Sequence, residues 1–373
     1  MKSVYQFIKN EIVLCVAAFV AICSCCIIKP GKEYISYIDF RTLSILLMLM
    51  ITMAGFQRLG VFRQIGEILV SKMKSVRGVV LVLIALCFFS SMLITNDVAL
   101  LTFVPFSIIT LSISNCKDLY IKVIVLETLA ANLGSMLTPL GNPQNLYLYS
   151  LGGMNLASFI GLMLPYSVCA AILLTLSVYL FVRKAPATLS KKNKSIFKRT
   201  KKDKTILGIY ILCFLIALLV VSRILPYYIG LLIELLLVIV FDRRILKKPD
   251  YSLLLTFIFL FIFIGNVKRI PDVSVFLEHL IRLNEVIVAI ALSQIISNVP
   301  AAILCSGFTE DIPKIIVGAN LGGMGTLIAS MASLISFKQY SYIDGASNKK
   351  YILEFTAFNL VYLIIMLFFS FLL

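Results

Sequence analysis

Four short polar clusters lie inside otherwise apolar stretches of this 373-residue chain, and their residue types suit the binding of small ions. Hydroxyl and amide oxygens together with backbone carbonyls suit a hard monovalent cation such as Na⁺, whereas the partly positive N-terminus of a helix suits an anion. An alternative is that Asn and Ser only join helices and that Gly only permits close packing. The occurrence of four clusters favours binding, and the candidate residues for substrate and cation are Ser91, Thr95, Asn96, Asp97, Asn132, Thr138, Gly141, Asn142, Asn145, Ser293, Ser297, Asn298, Asn320, Gly322 and Thr326.

Two subsets of polar residues, one in each half of the chain, are candidates for holding Na⁺. They are Ser91, Thr95, Asn96, Asp97 and Gly141 in the first half, and Ser293, Ser297, Asn298 and Gly325 in the second. An acid inside a membrane segment is a functional candidate by default, so we expect Asp97 to be a cation ligand or a proton carrier. A role as the cap of the following half-helix is an alternative that is compatible with both. Glu127 and Glu234 also lie inside apolar segments and rank below Asp97.

The clusters occur in two matched pairs, which predicts an internal repeat. Residues 91–96 match residues 293–298 in a pattern of Ser, then Ile, then a hydroxyl residue, then Asn, and residues 131–138 match residues 319–326. The second match contains six identities in eight positions, and the pairs follow the same order along the chain. Residues 138–145 add two prolines and a glycine, which break a helix. Each half therefore predicts a hairpin followed by a discontinuous helix.

The elements that position these clusters are membrane-spanning helices. The chain is 60% hydrophobic and 14% charged, its mean hydropathy is +1.01, and its apolar runs are long enough to cross a bilayer as helices. Long runs favour a helical bundle over a β-barrel. Simple spans are predicted at 11–28, 40–56, 120–149, 157–182, 205–222, 226–241, 251–267, 313–337 and 351–373. Segments 78–114 and 286–308 carry polar clusters at their centres, so each predicts two half-depth helices that meet at a polar tip.

The charge distribution predicts opposite orientations for the two halves. The net charge is +16, and loop 183–204 carries ten Lys or Arg and one Asp. Such loops stay in the cytoplasm, so this charge predicts topology and secondarily contact with anionic lipid headgroups, not nucleic-acid binding. Loops 57–77 and 242–250 are also basic, whereas 268–285 is balanced and 310–311 is acidic. Hairpin 78–114 is therefore predicted to open to the cytoplasm and hairpin 286–308 to the outside, with a cytoplasmic N-terminus and an external C-terminus.

These inferences predict an all-α polytopic membrane protein built from two inverted repeats. The first repeat comprises residues 1–182, with its hairpin at 78–114 and its broken helix at 120–149. A basic cytoplasmic loop at 183–204 and a linking span at 205–222 follow. The second repeat comprises residues 223–373, with its hairpin at 286–308 and its broken helix at 313–337.

The polar motifs resemble those of the ion transporter superfamily, in the branch with citrate permeases, arsenite pumps, Na⁺/H⁺ antiporters and divalent-anion:sodium symporters. The resemblance covers the chain from about Phe40 to the C-terminus and rests on Thr95-Asn96-Asp97, on the 132–143 break, on Ser297-Asn298 and on Asn320. It implies a moving transport domain, a scaffold domain and a homodimer. In the dicarboxylate symporters both hairpin tips read Ser-Asn-Thr, whereas here the third positions are Asp97 and Val299. An anionic Asp97 would repel a dianion unless a cation or a proton neutralised it.

The predicted function is secondary active transport of a small anion or oxyacid across the cytoplasmic (inner) membrane by alternating access, coupled to Na⁺ or H⁺. Na⁺/H⁺ antiport and arsenite-type efflux are alternatives on the same fold. A channel needs a continuous polar pore, which polar clusters that end in mid-membrane disfavour. Enzymatic activity is not expected, because the chain lacks HExxH and any GxSxG motif with a His partner. No cofactor is expected besides the coupling ion.

Overall fold

The computed structural model describes residues 11–185 and 200–373, and within these ranges the protein consists of helices without strands. The helices before the basic loop are α1 Ile12–Ile27, α2 Glu33–Tyr37, α3 Phe40–Arg58, α4 Val61–Val70, α5 Val76–Ile94, α6 Asn96–Ile113, α7 Tyr120–Ser135, α8 Pro143–Leu151 and α9 Leu156–Phe181. Those after it are α10 Lys201–Val221, α11 Tyr227–Asp242, α12 Tyr251–Val267, α13 Pro271–Leu283, α14 Glu285–Ile296, α15 Asn298–Ser306, α16 Ile312–Leu321, α17 Met331–Ser341 and α18 Asn348–Ser370.

The helix lengths confirm an all-α polytopic membrane protein. In the described part of the chain, six helices are long and apolar enough to cross a bilayer, and a seventh span results if the bent pair α12 and α13 counts as one. Large apolar side chains such as Phe19, Ile172 and Leu353 remain exposed, as expected for a surface covered by lipid. Two segments predicted as loops contain helices of their own, α4 within 57–77 and α13 within 268–285.

The two predicted hairpins each turn at a single residue. Thr95 joins α5 to α6 with a φ of 67°, and Ser297 joins α14 to α15 with a φ of 72°. In the second hairpin the helices have only 12 and 9 residues. In the first they have 19 and 18 residues, enough to cross a bilayer, so the prediction of two half-depth helices there is wrong in length. The polar residues that suggested a shallow segment are gathered at the turn between two long apolar helices.

The helices predicted at 120–149 and 313–337 are discontinuous, as the sequence indicates. α7 ends at Ser135 and α8 begins at Pro143, a position where the missing N–H of proline costs no hydrogen bond. The Asn142 side chain caps α8 by accepting a 2.8 Å hydrogen bond from the Asn145 N–H. In the second half, α16 ends at Leu321 and α17 begins after Ser330.

Packing brings the hairpins and broken helices together. α5 lies along α7, α14 and α15 pack against α16, and α15 and α16 pack against α8 of the other half. Helices α3, α10 and α11 pack mainly with one another, and α3 also contacts α8. The predicted cytoplasmic N-terminus includes residues 1–10, and the predicted basic loop includes residues 186–199; both stretches lie outside the described residues.

Candidate functional site

The tip of the first hairpin is bonded to the break between α7 and α8. Asn96 Nδ2 donates a 3.0 Å hydrogen bond to Asn132 Oδ1, and the Asn96 N–H donates a 3.0 Å bond to the Gly141 carbonyl. Gly141 approaches the chain so closely that an added Cβ would lie 1.9 Å from the Ser135 carbonyl oxygen. The structure thus brings Asn96, Asn132 and Gly141 together, as the sequence predicts.

The second hairpin holds its break through Gln294, which sequence reasoning did not select as a site residue. Gln294 Nε2 donates to the carbonyls of Gly322 at 3.0 Å and Met324 at 2.9 Å, and its Oε1 accepts from the Thr326 N–H at 2.9 Å. Gly325 adopts a φ of 109° and lies against the same amide. An amide side chain in a short apolar helix, directly after Ser293, was the signal that could have found it.

The two breaks are hydrogen-bonded to each other at the centre of the protein. Asn142 Nδ2 donates to Asn320 Oδ1 at 3.0 Å, and Asn320 Nδ2 donates to Asn145 Oδ1 at 2.6 Å. Ser330, a second residue that the sequence did not single out, donates to Asn132 Oδ1 at 3.2 Å. All of these side chains are buried, so the four polar clusters form one connected centre.

Residues that are equivalent in the sequence match make equivalent contacts. Thr138 Oγ1 donates to the Met92 carbonyl, and Thr326 Oγ1 donates to the Gln294 carbonyl, the residue that Met92 matches. Likewise Asn142 and Ser330, which precede α8 and α17, each bond the first Asn of the opposite break. The internal repeat of the sequence therefore reappears as a repeated set of contacts, while the inverted orientation of the halves stays a prediction.

Ser91 and Ser293 occupy matching packing positions beside the breaks. Ser91 donates to the Phe88 carbonyl at 2.9 Å and Ser293 to the Ala289 carbonyl at 2.6 Å, both within their own helices. Each serine lies against a glycine, since an added Cβ on Gly134 or Gly322 would approach its hydroxyl within 2.6 or 2.5 Å. Their hydroxyl protons are thus directed to their own helices, and a role as Na⁺ ligand rests on the sequence prediction.

The two hairpin tips differ in which groups remain available. At the first tip the backbone donors are used, because the Asn96 N–H bonds Gly141 and the Asp97 N–H bonds Asn96 Oδ1 at 3.0 Å. At the second tip the N–H groups of Asn298 and Val299 have no acceptor within the described ranges. Asn298 itself is buried against Gly323.

Two buried oxygens at the tips also lack hydrogen-bond partners in the described part of the chain. They are Oδ1 of Asp97 and Oγ of Ser297. A buried polar atom without a partner is costly unless a ligand or water satisfies it. The first tip therefore offers oxygens, including a carboxylate, to a cation, whereas the second offers helix N-terminal N–H groups to an anion.

Comparisons with known proteins place the chain among membrane transporters. A family model described as citrate transporter matches residues 6–312. The chain is 38% identical to the transporter MJ0456 of Methanocaldococcus jannaschii over 71% of this chain and 72% of that protein. It is 31% identical to the inner membrane protein YbiR of Escherichia coli over 82% of both chains. A shorter match, 29% identical over 37% of this chain and 28% of the relative, is to the silicon efflux transporter LSI3 of rice.

Proposed function

The chain belongs to the citrate transporter family, and from this premise we propose that it carries a small anion or oxyacid by secondary active transport, coupled to Na⁺ or H⁺. It is a multi-pass membrane transporter, and its similarity to an inner membrane protein supports the cytoplasmic membrane as its location. The observation that carries the proposal is the unequal chemistry of the two hairpin tips. Among the residues that the structure describes, one tip holds an unpartnered carboxylate oxygen at Asp97, and the other leaves two backbone N–H groups without acceptors at Asn298 and Val299.

These tips support co-transport of a cation and an anion through one centre. The Asp97 carboxylate, the Gly141 carbonyl and the Asn96 amide oxygen give a cation only oxygen ligands. The start of α15 gives an anion a positive dipole end, and Val299 in place of a second acid avoids repelling it. A cation bound at Asp97 neutralises a carboxylate that would otherwise repel an anion in the same centre.

Alternating access then requires that the bonded centre changes its exposure between the two faces of the membrane. The centre joins hairpin α5–α6, hairpin α14–α15 and both breaks through direct hydrogen bonds, which supports their movement as a unit. Helices α3, α10 and α11 pack mainly with one another, which suits a scaffold. By family resemblance the scaffold forms a homodimer.

Export of a neutral oxyacid is the second candidate, with Na⁺/H⁺ antiport on the same fold as a further alternative. The partial match to a protein named a silicon efflux transporter favours export, and a neutral acid is not repelled by an ionised Asp97. In this case Asp97 would carry the exchanged proton or Na⁺.

Thermal stabilisation of the full-length protein separates these candidates. A ligand at 100 times its Kd that binds only the folded state adds about 2.7 kcal/mol to the free energy of unfolding. Citrate, arsenite, silicate, Na⁺ and K⁺ would each be added to wild type and Asp97→Asn. We expect Na⁺ or a lower pH to stabilise wild type but not Asp97→Asn, and an anion to stabilise both proteins, because the variant keeps the N–H groups of Asn298 and Val299. An unchanged cation response in Asp97→Asn would remove Asp97 from the proposed site.

Flux measurements in proteoliposomes test the coupling at Asp97. Under imposed Na⁺ and pH gradients, we expect Asp97→Asn to lose the dependence of the transport rate on one of the two gradients, because the neutral amide no longer binds the cation. A transport rate in Asp97→Asn with wild-type Na⁺ and pH dependence would contradict this role.

A further inference from the structure

We infer that Glu127 is a second proton-binding site, and that a row of buried hydroxyl groups lies between it and the central asparagines. The inference deepens the proposed transport function and rests on it for its meaning, because it supplies a place where a proton can be stored while substrate crosses. Glu127 lies in α7, five residues before Asn132.

The Glu127 carboxyl is fully buried and incompletely hydrogen-bonded. Its exposed fraction is 0%, Ser107 Oγ donates a hydrogen bond to Oε1, and Oε2 has no partner among the described residues. A buried carboxylate that stays ionised without a cation or a full set of donors is strongly disfavoured. A proton is the ligand that removes this charge without needing space.

Every element packed against Glu127 presents neutral groups to it. Cys87 approaches from α5, Ser107 from α6 and Tyr351 from α18. The buried Tyr351 hydroxyl also lacks a hydrogen-bond partner in the described ranges, and its ring stacks on Tyr340 of α17 at 4.8 Å. Helices α9 and α16 also contact α7 and bring no charged group to the carboxyl in the part of the chain that the structure describes. No Lys or Arg of the described residues forms a salt bridge with it.

A row of three serines leads from the central site towards this carboxyl. Ser330, Ser333 and Ser336 recur every third residue at the start of α17, about 4.5 Å apart along the axis, and their exposed fractions are 1%, 0% and 0%. Ser330 bonds Asn132, and Ser336 Oγ accepts a 2.8 Å bond from Thr128, the residue that follows Glu127 in the sequence. The Ser333 hydroxyl, between them, is buried and has no partner in the described part of the chain.

Hydroxyl groups both donate and accept hydrogen bonds, so this row can relay a proton once the Ser333 hydroxyl, which has no partner among the described residues, turns to bond its neighbours. The step is a binding equilibrium in which the Glu127 carboxylate takes one H⁺ from water that reaches the central site and becomes a neutral carboxylic acid. On release the same proton returns to water at the site, and the carboxylate is restored. One proton stored at Glu127 compensates one negative charge of a carried anion.

The opposing interpretation is that Glu127 is always protonated and only joins helices. The chain offers a matched control in Glu234 of α11, which is also 0% exposed. Its Oε1 accepts a 2.9 Å hydrogen bond from Thr52 Oγ1, and its Oε2 has no partner within the described residues. Glu234 packs in the α3, α10 and α11 group, away from the serine row.

Infrared difference spectroscopy of the full-length protein in lipid nanodiscs, titrated from about pH 5 to about pH 9, tests the assignment without any substrate. We expect a protonated-carboxyl stretching band that titrates in wild type, persists in Glu234→Gln and Asp97→Asn, and is lost in Glu127→Gln. A titrating amplitude in Glu127→Gln equal to that of wild type, or a Glu127 band that stays constant throughout the range, overturns the proposal. If Glu127→Gln does not fold, Ser107→Ala replaces it, because loss of the hydroxyl bonded to Oε1 must shift the frequency of a band that belongs to Glu127.

Ser333→Ala tests the row itself. If Ser333 is only structural, Ser333→Ala should leave the rate at which the Glu127 band appears after a pH jump unchanged, since the removed hydroxyl has no partner among the described residues. A relay role predicts that the Glu127 band reaches the same amplitude more slowly after a pH jump, and an unchanged rate refutes the relay. If no tested anion is transported while the Glu127 band titrates, the proposed function fails and the proton site stands. If an anion is transported while no Glu127 band titrates, the proton site fails and the proposed function stands.

Discussion

Replacing Gly134 with Ala should disrupt the contact between the first hairpin and its broken helix. The added Cβ would lie 2.1 Å from the Phe88 carbonyl oxygen and 2.6 Å from Ser91 Oγ. Real Cβ atoms essentially never approach a heavy atom closer than 3.0 Å, so α5 and α7 must separate by about 0.9 Å. The obstacle is backbone, which cannot rotate away as a side chain can.

The expected loss of stability follows from two opposing effects. Overpacking a buried contact costs about 1–3 kcal/mol, and a backbone collision belongs at the upper end of this range. Ala in place of Gly within a helix returns up to about 1 kcal/mol. We therefore expect Gly134→Ala to lower the free energy of unfolding by about 2 kcal/mol and the melting temperature by several degrees.

The assay is the fraction of full-length protein that remains monodisperse in detergent after heating, measured by size-exclusion chromatography. Gly161→Ala is the control, because Gly161 also lies inside a helix and an added Cβ there meets nothing within 4 Å. It should melt at or slightly above the wild-type temperature. A melting temperature of Gly134→Ala equal to that of Gly161→Ala would refute the contact between α5 and α7.

The equivalent glycine of the second half should behave differently. An added Cβ on Gly322 would lie 2.5 Å from Ser293 Oγ and 2.8 Å from Ser293 Cβ, so the main obstacle is a side chain. Adding Ser293→Gly should therefore restore most of the stability lost in Gly322→Ala. Adding Ser91→Gly should not rescue Gly134→Ala, because the Phe88 carbonyl remains. Equal rescue in both halves would show that the two contacts are not built as described.

The remaining predictions concern the central site and its supports. Asn96→Ala and Asn298→Ala should each abolish transport in proteoliposomes, while membrane insertion and expression stay near wild type. Full transport activity in both variants would contradict the site assignment. Thr138→Val and Thr326→Val each remove one hydroxyl bond to a hairpin carbonyl, so each should lower the free energy of unfolding by about 1 kcal/mol, measured by thermal melting. In the double variant the two losses in free energy of unfolding should add, because the bonds lie in separate hairpins. A loss of stability in only one of the single variants would contradict the matched contacts.

The sequence predicted most of the fold because hydrophobic helices of membrane length leave an unmistakable pattern. It also predicted the tips and breaks, since Thr95, Ser297 and their flanking asparagines are polar where hydrocarbon tolerates little polarity. It missed the length of the first hairpin, because a polar cluster in the middle of a long apolar run does not show how far the helices on either side extend.

The sequence did not select Gln294 and Ser330, because the importance of each depends on a partner far away in the chain. Gln294 bonds carbonyls 28 and 30 residues later, and Ser330 bonds an asparagine 198 residues earlier. Glu127 was recognised as a buried acid, but its hydroxyl neighbours come from helices that no local pattern places beside it.

The sequence by itself determined that this is a helical membrane protein with two similar halves and a polar centre, because composition and local spacing fix burial in lipid. Only the tertiary structure decided that the asparagines of one half bond the break of the other, and that the two tips differ in their free groups. Hydrogen bonds between distant segments depend on atomic positions that residue types do not specify. The sequence shows Asp97 at one tip and Val299 at the other. Only the structure shows which donors and acceptors around each tip lack partners among the described residues.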